Sequence, residues 1–255
     1  VGFATPSRPP NPVVSPQQSI IHIPYIQILF IGNIHSQRIG IRYSHPLEKM
    51  ERVMQYTTLG HSNIKISKLC LGGMSFGEAS PDFHQWTIGP DETRDVIKRA
   101  IDAGVNFIDT ANCSSFGTSE EYIGSALREL GIAREDVVLA SKVHFNEGGL
   151  SAAAIKREIE GSLKRLGTDY LDLYIIHRFD YDVPMEETIE ALNSLVREGK
   201  VRALGASAMY AYQLHNLQII AEQNGWTKFT SMQCHYNLLY REDEREMIPV
   251  CRQYD

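Results

Sequence analysis

From residue 54 onward the sequence predicts an α/β fold of repeated βα units around a parallel sheet, and two observations carry that prediction. Short β-branched runs alternate with amphipathic helical stretches, the pattern of crossover helices packed on parallel strands. The first glycine-rich stretch, Leu71-Gly72-Gly73-Met74-Ser75-Phe76-Gly77, lacks the G-x-G-x-x-G spacing of a dinucleotide-binding turn. Such a series suits either a closed eight-stranded barrel or an open, doubly wound sheet. The glycine spacing weighs against the open sheet, while periodicity alone leaves both in play.

The elements follow in order. Tyr56 to Leu59 and Ile64 to Ser67, joined by Gly60, His61, Ser62 and Asn63, read as a hairpin with turn residues at its tip. Parallel strands are expected at Leu69 to Gly72, Asn106 to Thr110, Val137 to Lys142, Leu171 to His177, Val201 to Gly205 and Phe229 to Gln233. Between them, Asp91 to Ala103 gathers Val96, Ile97, Ala100 and Ile101 on one face and stops at Gly104, which tolerates positive φ. Thr118 and Glu121 form a capping-box pattern ahead of a helix over Tyr122 to Leu130. Further helices are expected at Ala154 to Leu166, Met185 to Glu198 and Tyr210 to Asn224, each followed by glycine. A last helix starts near Arg241, with Pro249 a point of interruption.

Composition bounds the function. Of 255 residues, 43% are hydrophobic and 22% charged, enough apolar surface for a sizeable core. The net charge of −6 argues against a surface that neutralises phosphate backbones, so a small molecule rather than a nucleic acid is the expected partner. The cysteines, Cys70, Cys113, Cys234 and Cys251, form no C-x-x-C pair, which points to neither a metal site nor a disulfide framework and fits a reducing cytoplasm. Residues 1–53 differ from residues 54–255: no acidic residue precedes Glu48, and prolines cluster early. The apolar stretch Ile20 to Ile31 is interrupted by His22, Pro24 and Gln27 and falls short of the ~20 apolar residues of a spanning helix. The expectation is an atypical leader, with Met54 as the natural start and the upstream residues a translated leader.

Barrel enzymes gather their chemistry at the C-terminal ends of their strands. Those ends supply Gly73 and Met74, then Asp109, Lys142, His177, Ser207 and Gln233. An Asp, a Lys and a His converging in a partly buried pocket can shift one another's proton affinities. The plainer alternative is an ordinary salt bridge beside a satisfied histidine, with Met74 and Gln233 as packing residues.

Several segments together carry a family resemblance. Ile108-Asp109-Thr110-Ala111-Asn112 with Gly117-Thr118-Ser119-Glu120-Glu121, Ala140-Ser141-Lys142, and Ser162-Leu163-Lys164-Arg165-Leu166-Gly167-Thr168-Asp169-Tyr170-Leu171-Asp172 through His177-Arg178 resemble the aldo-keto reductases. The likeness is strongest to a bacterial branch related to potassium-channel beta subunits. It implies a TIM-type (β/α)8 barrel, here with only about six βα units, that reduces an aldehyde or ketone with NADPH. Asp109, Lys142 and His177 are then the catalytic residues. Gly73, Met74, Asp109, Ser207 and Gln233 become cofactor contacts, and no metal is required.

Three departures from the family pattern shape the functional expectation. The family's tyrosine falls five residues after the aspartate, and that position here is Ser114; an alkyl hydroxyl is a far weaker acid than a phenol of pKa ~10. In addition, the chain reaches Asp255 where two further βα units are expected, and Ala208 stands where many relatives have asparagine. The resulting expectation is an impaired carbonyl reductase, with an inactive NADPH-binding module as the alternative. The loop from Glu78 to Pro90, bearing Phe83, His84 and Trp86, is expected to overhang the pocket.

Overall fold

The structure is a computed structural model that describes residues 54–254; residues 1–53, expected to be an atypical leader, lie outside the described residues. A two-stranded antiparallel hairpin comes first, β1 (Tyr56–Thr58) against β2 (Lys65–Ser67). Gly60 sits in its tip at φ +49, and added bulk there would collide with the Thr230 carbonyl. The main sheet follows: β3 (Leu71–Gly72), β4 (Phe107–Asp109), β5 (Val138–Val143), β6 (Leu171–Ile176), β7 (Val201–Ser207) and β8 (Phe229–Gln233). All its pairings are parallel, in chain order. The connecting helices are α1 (Pro90–Asp102), α2 (Thr118–Glu129), α3 (Ala152–Leu166), α4 (Met185–Arg197), α5 (Ala211–Gln223) and α6 (Met247–Gln253), each packed on the next.

Strand order decides between the two architectures that periodicity leaves open. A doubly wound sheet reverses its order partway so that helices cover both faces, whereas a monotonic order with right-handed crossovers leaves them all on one side. The two cores agree with the second arrangement. Ile108, Leu139, Tyr174 and Leu204 face helix residues such as Ile123, Ile159, Leu192 and Leu217. Phe107, Val138, Ala140, Leu173, Ile175 and Ala203 face the other way, capped by Leu59 and Ile66 of the hairpin and by no helix residue. Each buried leucine or isoleucine contributes about 1.5–3 kcal/mol, so both layers bind the sheet firmly.

The sheet is also strongly curled. Three strands separate β4 from β8, which would hold them ~19 Å apart in a flat sheet. Yet Gln233 Nε2 donates to Asp109 Oδ2 at 3.0 Å. Side chains span that gap only if the strand ends bend towards a common axis, as they do in a (β/α)8 barrel, of which six strands are present among the described residues.

Local departures from the sequence expectations have local causes. The first strand is shorter than Leu69 to Gly72 because Ser67 Oγ donates to the Leu69 carbonyl at 2.6 Å and bends the chain there. The capping box at Thr118 does not form. Gly117, at φ 94, takes the N-cap, and Thr118 Oγ1 instead donates to the Ser115 carbonyl and accepts from the Glu78 amide. The last helix divides into a single 3₁₀ turn, Glu242–Glu244, and α6. Pro249 does not interrupt α6: it lies in the first turn, where a helix needs no amide donor. No helix among the described residues is long and apolar enough to cross a membrane.

Candidate active site

Five of the predicted residues meet at the C-terminal rim of the sheet because each ends, or nearly ends, its strand. Asp109 closes β4, Lys142 is the penultimate residue of β5, and His177 follows β6 directly, its amide donating to the Val143 carbonyl at 3.0 Å. Ser207 and Gln233 close β7 and β8 and stand opposite each other in register. The alternation of side chains along a strand turns all five towards the inner face.

Lys142 and Asp109 form the centre. The ammonium donates to both carboxylate oxygens, at 2.7 and 2.6 Å, and to the Thr110 carbonyl at 2.9 Å. Both side chains are almost sealed from solvent, at 6% and 1% exposure, so the pair is held in fixed geometry with every ammonium proton used. Below it, burial and then the Asp109 charge push the Cys70 thiol well above its usual range. His177 stands beside the pair, and burial, followed by the Lys142, Arg178 and His144 charges, lowers its imidazole to about 3. A neutral ring at physiological pH keeps one nitrogen as donor and one as acceptor. Phe145 packs edge-on against it, with centroids 4.9 Å apart.

The segment that should carry the tyrosine takes an unusual path. After β4 the chain continues along β5, with the Thr110 amide donating to the Ala140 carbonyl and the Asn112 amide to that of Lys142. It then turns tightly at Ser114–Gly117, with Ser115, Phe116 and Gly117 at φ 45, 54 and 94. Two successive non-glycine residues in the left-handed region cost about 1–3 kcal/mol each. The surroundings hold them there: Thr118 ties down the Ser115 carbonyl, and Gly77 leaves the space that Ser115 fills. The start of α2 is fixed by the buried Glu120, which accepts from Ser141 Oγ at 2.5 Å and Arg165 Nε at 2.6 Å. Ser114 is consequently buried, at 4% exposure.

Gly73 and Met74 follow β3. The Gly73 amide donates to the Asp109 carbonyl at 2.6 Å, its own carbonyl accepts from Ser119 Oγ at 2.7 Å, and a Cβ would press on Ile123. Met74 is half exposed. The loop before α1 reaches the strained turn through aromatic rings. Phe83 meets Phe116 edge-on at 5.7 Å, and His84 stacks on Trp86 at 4.4 Å.

Three neighbours of the site escaped the strand-end reading: Cys113, Phe116 and Phe145. Cys113 Sγ lies 3.9 Å from His177 Nδ1. Its position one residue before Ser114 was a usable signal; the left-handed turn that exposes Phe116 leaves no mark in composition.

A nicotinamide ring fits the donor set at the rim. Its carboxamide offers one carbonyl and one NH2, and Ser207 can donate while the Gln233 side-chain oxygen can accept, its nitrogen being engaged by Asp109. Ala208, beside Ser207, is itself left-handed at φ 47 and brings no polar side chain.

Comparison with known proteins identifies the family. The model of the aldo/keto reductase family matches residues 68–255, well over half of the chain. The chain is 44% identical over 225 residues to Aldo-keto reductase AMT2 of Alternaria alternata, covering 77% of this chain and 61% of that protein. It is 42% identical over 221 residues to the versiconal hemiacetal acetate reductase of Aspergillus parasiticus, 78% of this chain and 64% of the relative. A Schizosaccharomyces pombe protein, named as a candidate aryl-alcohol dehydrogenase, is 44% identical over 225 residues, 77% of this chain and 64% of the relative. The chain thus spans somewhat under two thirds of the length of the curated relatives it matches. On the family match and on these identities, the chain belongs to the aldo/keto reductase family.

Proposed function

We propose that this site reduces an aromatic aldehyde or ketone to its alcohol with NADPH, at a rate lowered by Ser114. The observation that carries the reading is the sealed Asp109–Lys142 pair with a neutral His177 at the next strand end. Bound reduced nicotinamide supplies a hydride to the carbonyl carbon. The chain's own residues do the rest: Ser207 and Gln233 hold the carboxamide, Gly73 and Met74 border the cofactor, and His177 donates a hydrogen bond to the carbonyl oxygen. Lys142 places a positive charge near the oxygen as it gains electron density, where a preorganised charge is worth most. The aromatic substrate class is supported by the exposed Phe116 and Phe145 rings beside the site and by the aryl-alcohol name of one relative.

Ser114 supports a second reading, an NADPH-binding module without turnover. Initial rates of NADPH and NADH oxidation with benzaldehyde, together with quenching of Trp86 and Trp226 fluorescence by each cofactor, separate the two. Aldehyde-dependent oxidation supports reduction; saturable quenching without oxidation supports the module. Absence of both overturns the nicotinamide assignment.

A further inference from the structure

We propose that Cys113 is the proton source of this site, relaying through His177 in place of the tyrosine that Ser114 replaces. The inference rests on the carbonyl-reduction reading above and concerns where the second equivalent, the proton, comes from.

Geometry makes the connection. Cys113 Sγ and His177 Nδ1 lie 3.9 Å apart, within reach of a sulfur hydrogen bond. His177 is neutral at physiological pH, so its ring proton sits on either Nδ1 or Nε2; with it on Nε2 the thiol donates to Nδ1. That tautomer is the one a relay requires. As the hydride reaches the carbonyl carbon, the oxygen takes the proton from Nε2–H and Nδ1 takes the thiol proton. One N–H and one S–H bond break, one O–H and one N–H form, and the imidazole ends neutral with its proton now on Nδ1. The relay resets when Nδ1 returns its proton to the thiolate and Nε2 takes one from water, which the partial exposure of His177 permits.

The charges around the thiol suit the task. Burial pushes the Cys113 thiol up, Lys142 acts to lower it and Glu120 to raise it. His177 faces Lys142, Arg178 and His144. Protonated thiol is therefore the resting form, and the thiolate left by transfer lies within the field of Lys142. An ordinary thiol, at ~8.5, is also closer in acidity to a phenol at ~10 than any alkyl hydroxyl is. Ser114 therefore cannot fill the role that Cys113 can.

Three variants of the full chain test the relay: Cys113→Val, Cys113→Ser and His177→Phe. With benzaldehyde, Cys113→Val is expected to lower kcat on the order of 10²-fold while leaving the KM for NADPH unchanged. Wild-type kcat should fall on the alkaline side as the thiol ionises, and Cys113→Ser should lose that limb. In a Ser114→Tyr background the Cys113→Val change should cost little. A structural role for Cys113 would alter neither the pH profile nor this background dependence. With His177→Phe in place, adding Cys113→Val should cost no further activity, and independently of turnover the 15N shifts of the wild-type His177 ring should report its proton on Nε2. Wild-type turnover with Cys113→Val unchanged, or a His177 ring that holds its proton on Nδ1, overturns the relay and leaves carbonyl reduction standing. A wild-type chain without aldehyde-dependent turnover overturns both.

Discussion

The Asp109–Lys142 pair should dominate the stability of the rim, and Asp109→Asn measures it with little change of volume. The substitution removes the negative charge and replaces one acceptor, now at 2.6–2.7 Å from the ammonium, with an NH2 group facing it. Lys142 keeps one amide oxygen and the Thr110 carbonyl, yet its charge has no counterion and little solvent, its side chain being 6% exposed. Stranding a buried charge costs about 3–5 kcal/mol. For a domain of this size, each kcal/mol lowers Tm by roughly 2–4 °C, so the expected fall is about 6–20 °C. Adding Lys142→Met removes the stranded charge, and most of the loss should return, giving a coupling of about 2–3 kcal/mol in the double-mutant cycle. Thermal melts followed by circular dichroism at low and high salt provide the assay, and the loss should persist at high salt because a buried pair is poorly screened. A fall below about 1 kcal/mol, or a double variant no more stable than Asp109→Asn, would refute the claim that the pair is sealed and mutually dependent.

Three further outcomes are expected. Ser114→Tyr should raise aldehyde-dependent NADPH oxidation on the order of 10²–10⁴-fold; equal rates would remove the family tyrosine's position from Ser114. His177 is held down to about 3 against ~6.5 unfolded, so the unfolded chain binds the extra proton between those values. Its contribution is present above pH ~6.5 and lost as pH falls, about 2 kcal/mol by pH 5. Urea midpoints of wild type and His177→Gln, compared at pH 7.5 and 5, should show the variant losing less on acidification. Gly124→Ala should destabilise by about 1–3 kcal/mol, because its Cβ would press on the Leu166 and Arg165 carbonyls at the end of α3; an unchanged urea midpoint would contradict that close approach.

Much of the fold could be read because burial leaves a local trace. Phe229 to Gln233 is the same strand in sequence and structure, its β-branched and aromatic residues bounded by turns. Periodicity could not separate barrel from open sheet, since strand order and curl are non-local, the Gln233–Asp109 bond joining residues 124 apart; the family resemblance is what pointed to the barrel. The Thr118 capping box failed because a loop forty residues upstream claims the same hydroxyl. At the site, strand-end polarity brought out Asp109, Lys142, His177, Ser207 and Gln233, which the sheet does bring to one rim. Cys113 stayed hidden because its relation to His177 arises from a turn through left-handed serine and phenylalanine, conformations their side chains do not advertise.

The curl has a consequence for how the chain assembles. Every strand of the main sheet pairs only with its neighbours in sequence, so the sheet can extend in step with synthesis, each new unit docking on a finished edge. Among the described residues, the bond from Gln233 to Asp109 spans the rim from β8 back to β4. It cannot form until β8 has emerged, and it fastens onto a carboxylate already engaged by Lys142. Among the described strands, β8 thus draws the mouth together by bringing Gln233 to the carboxylate that Lys142 holds.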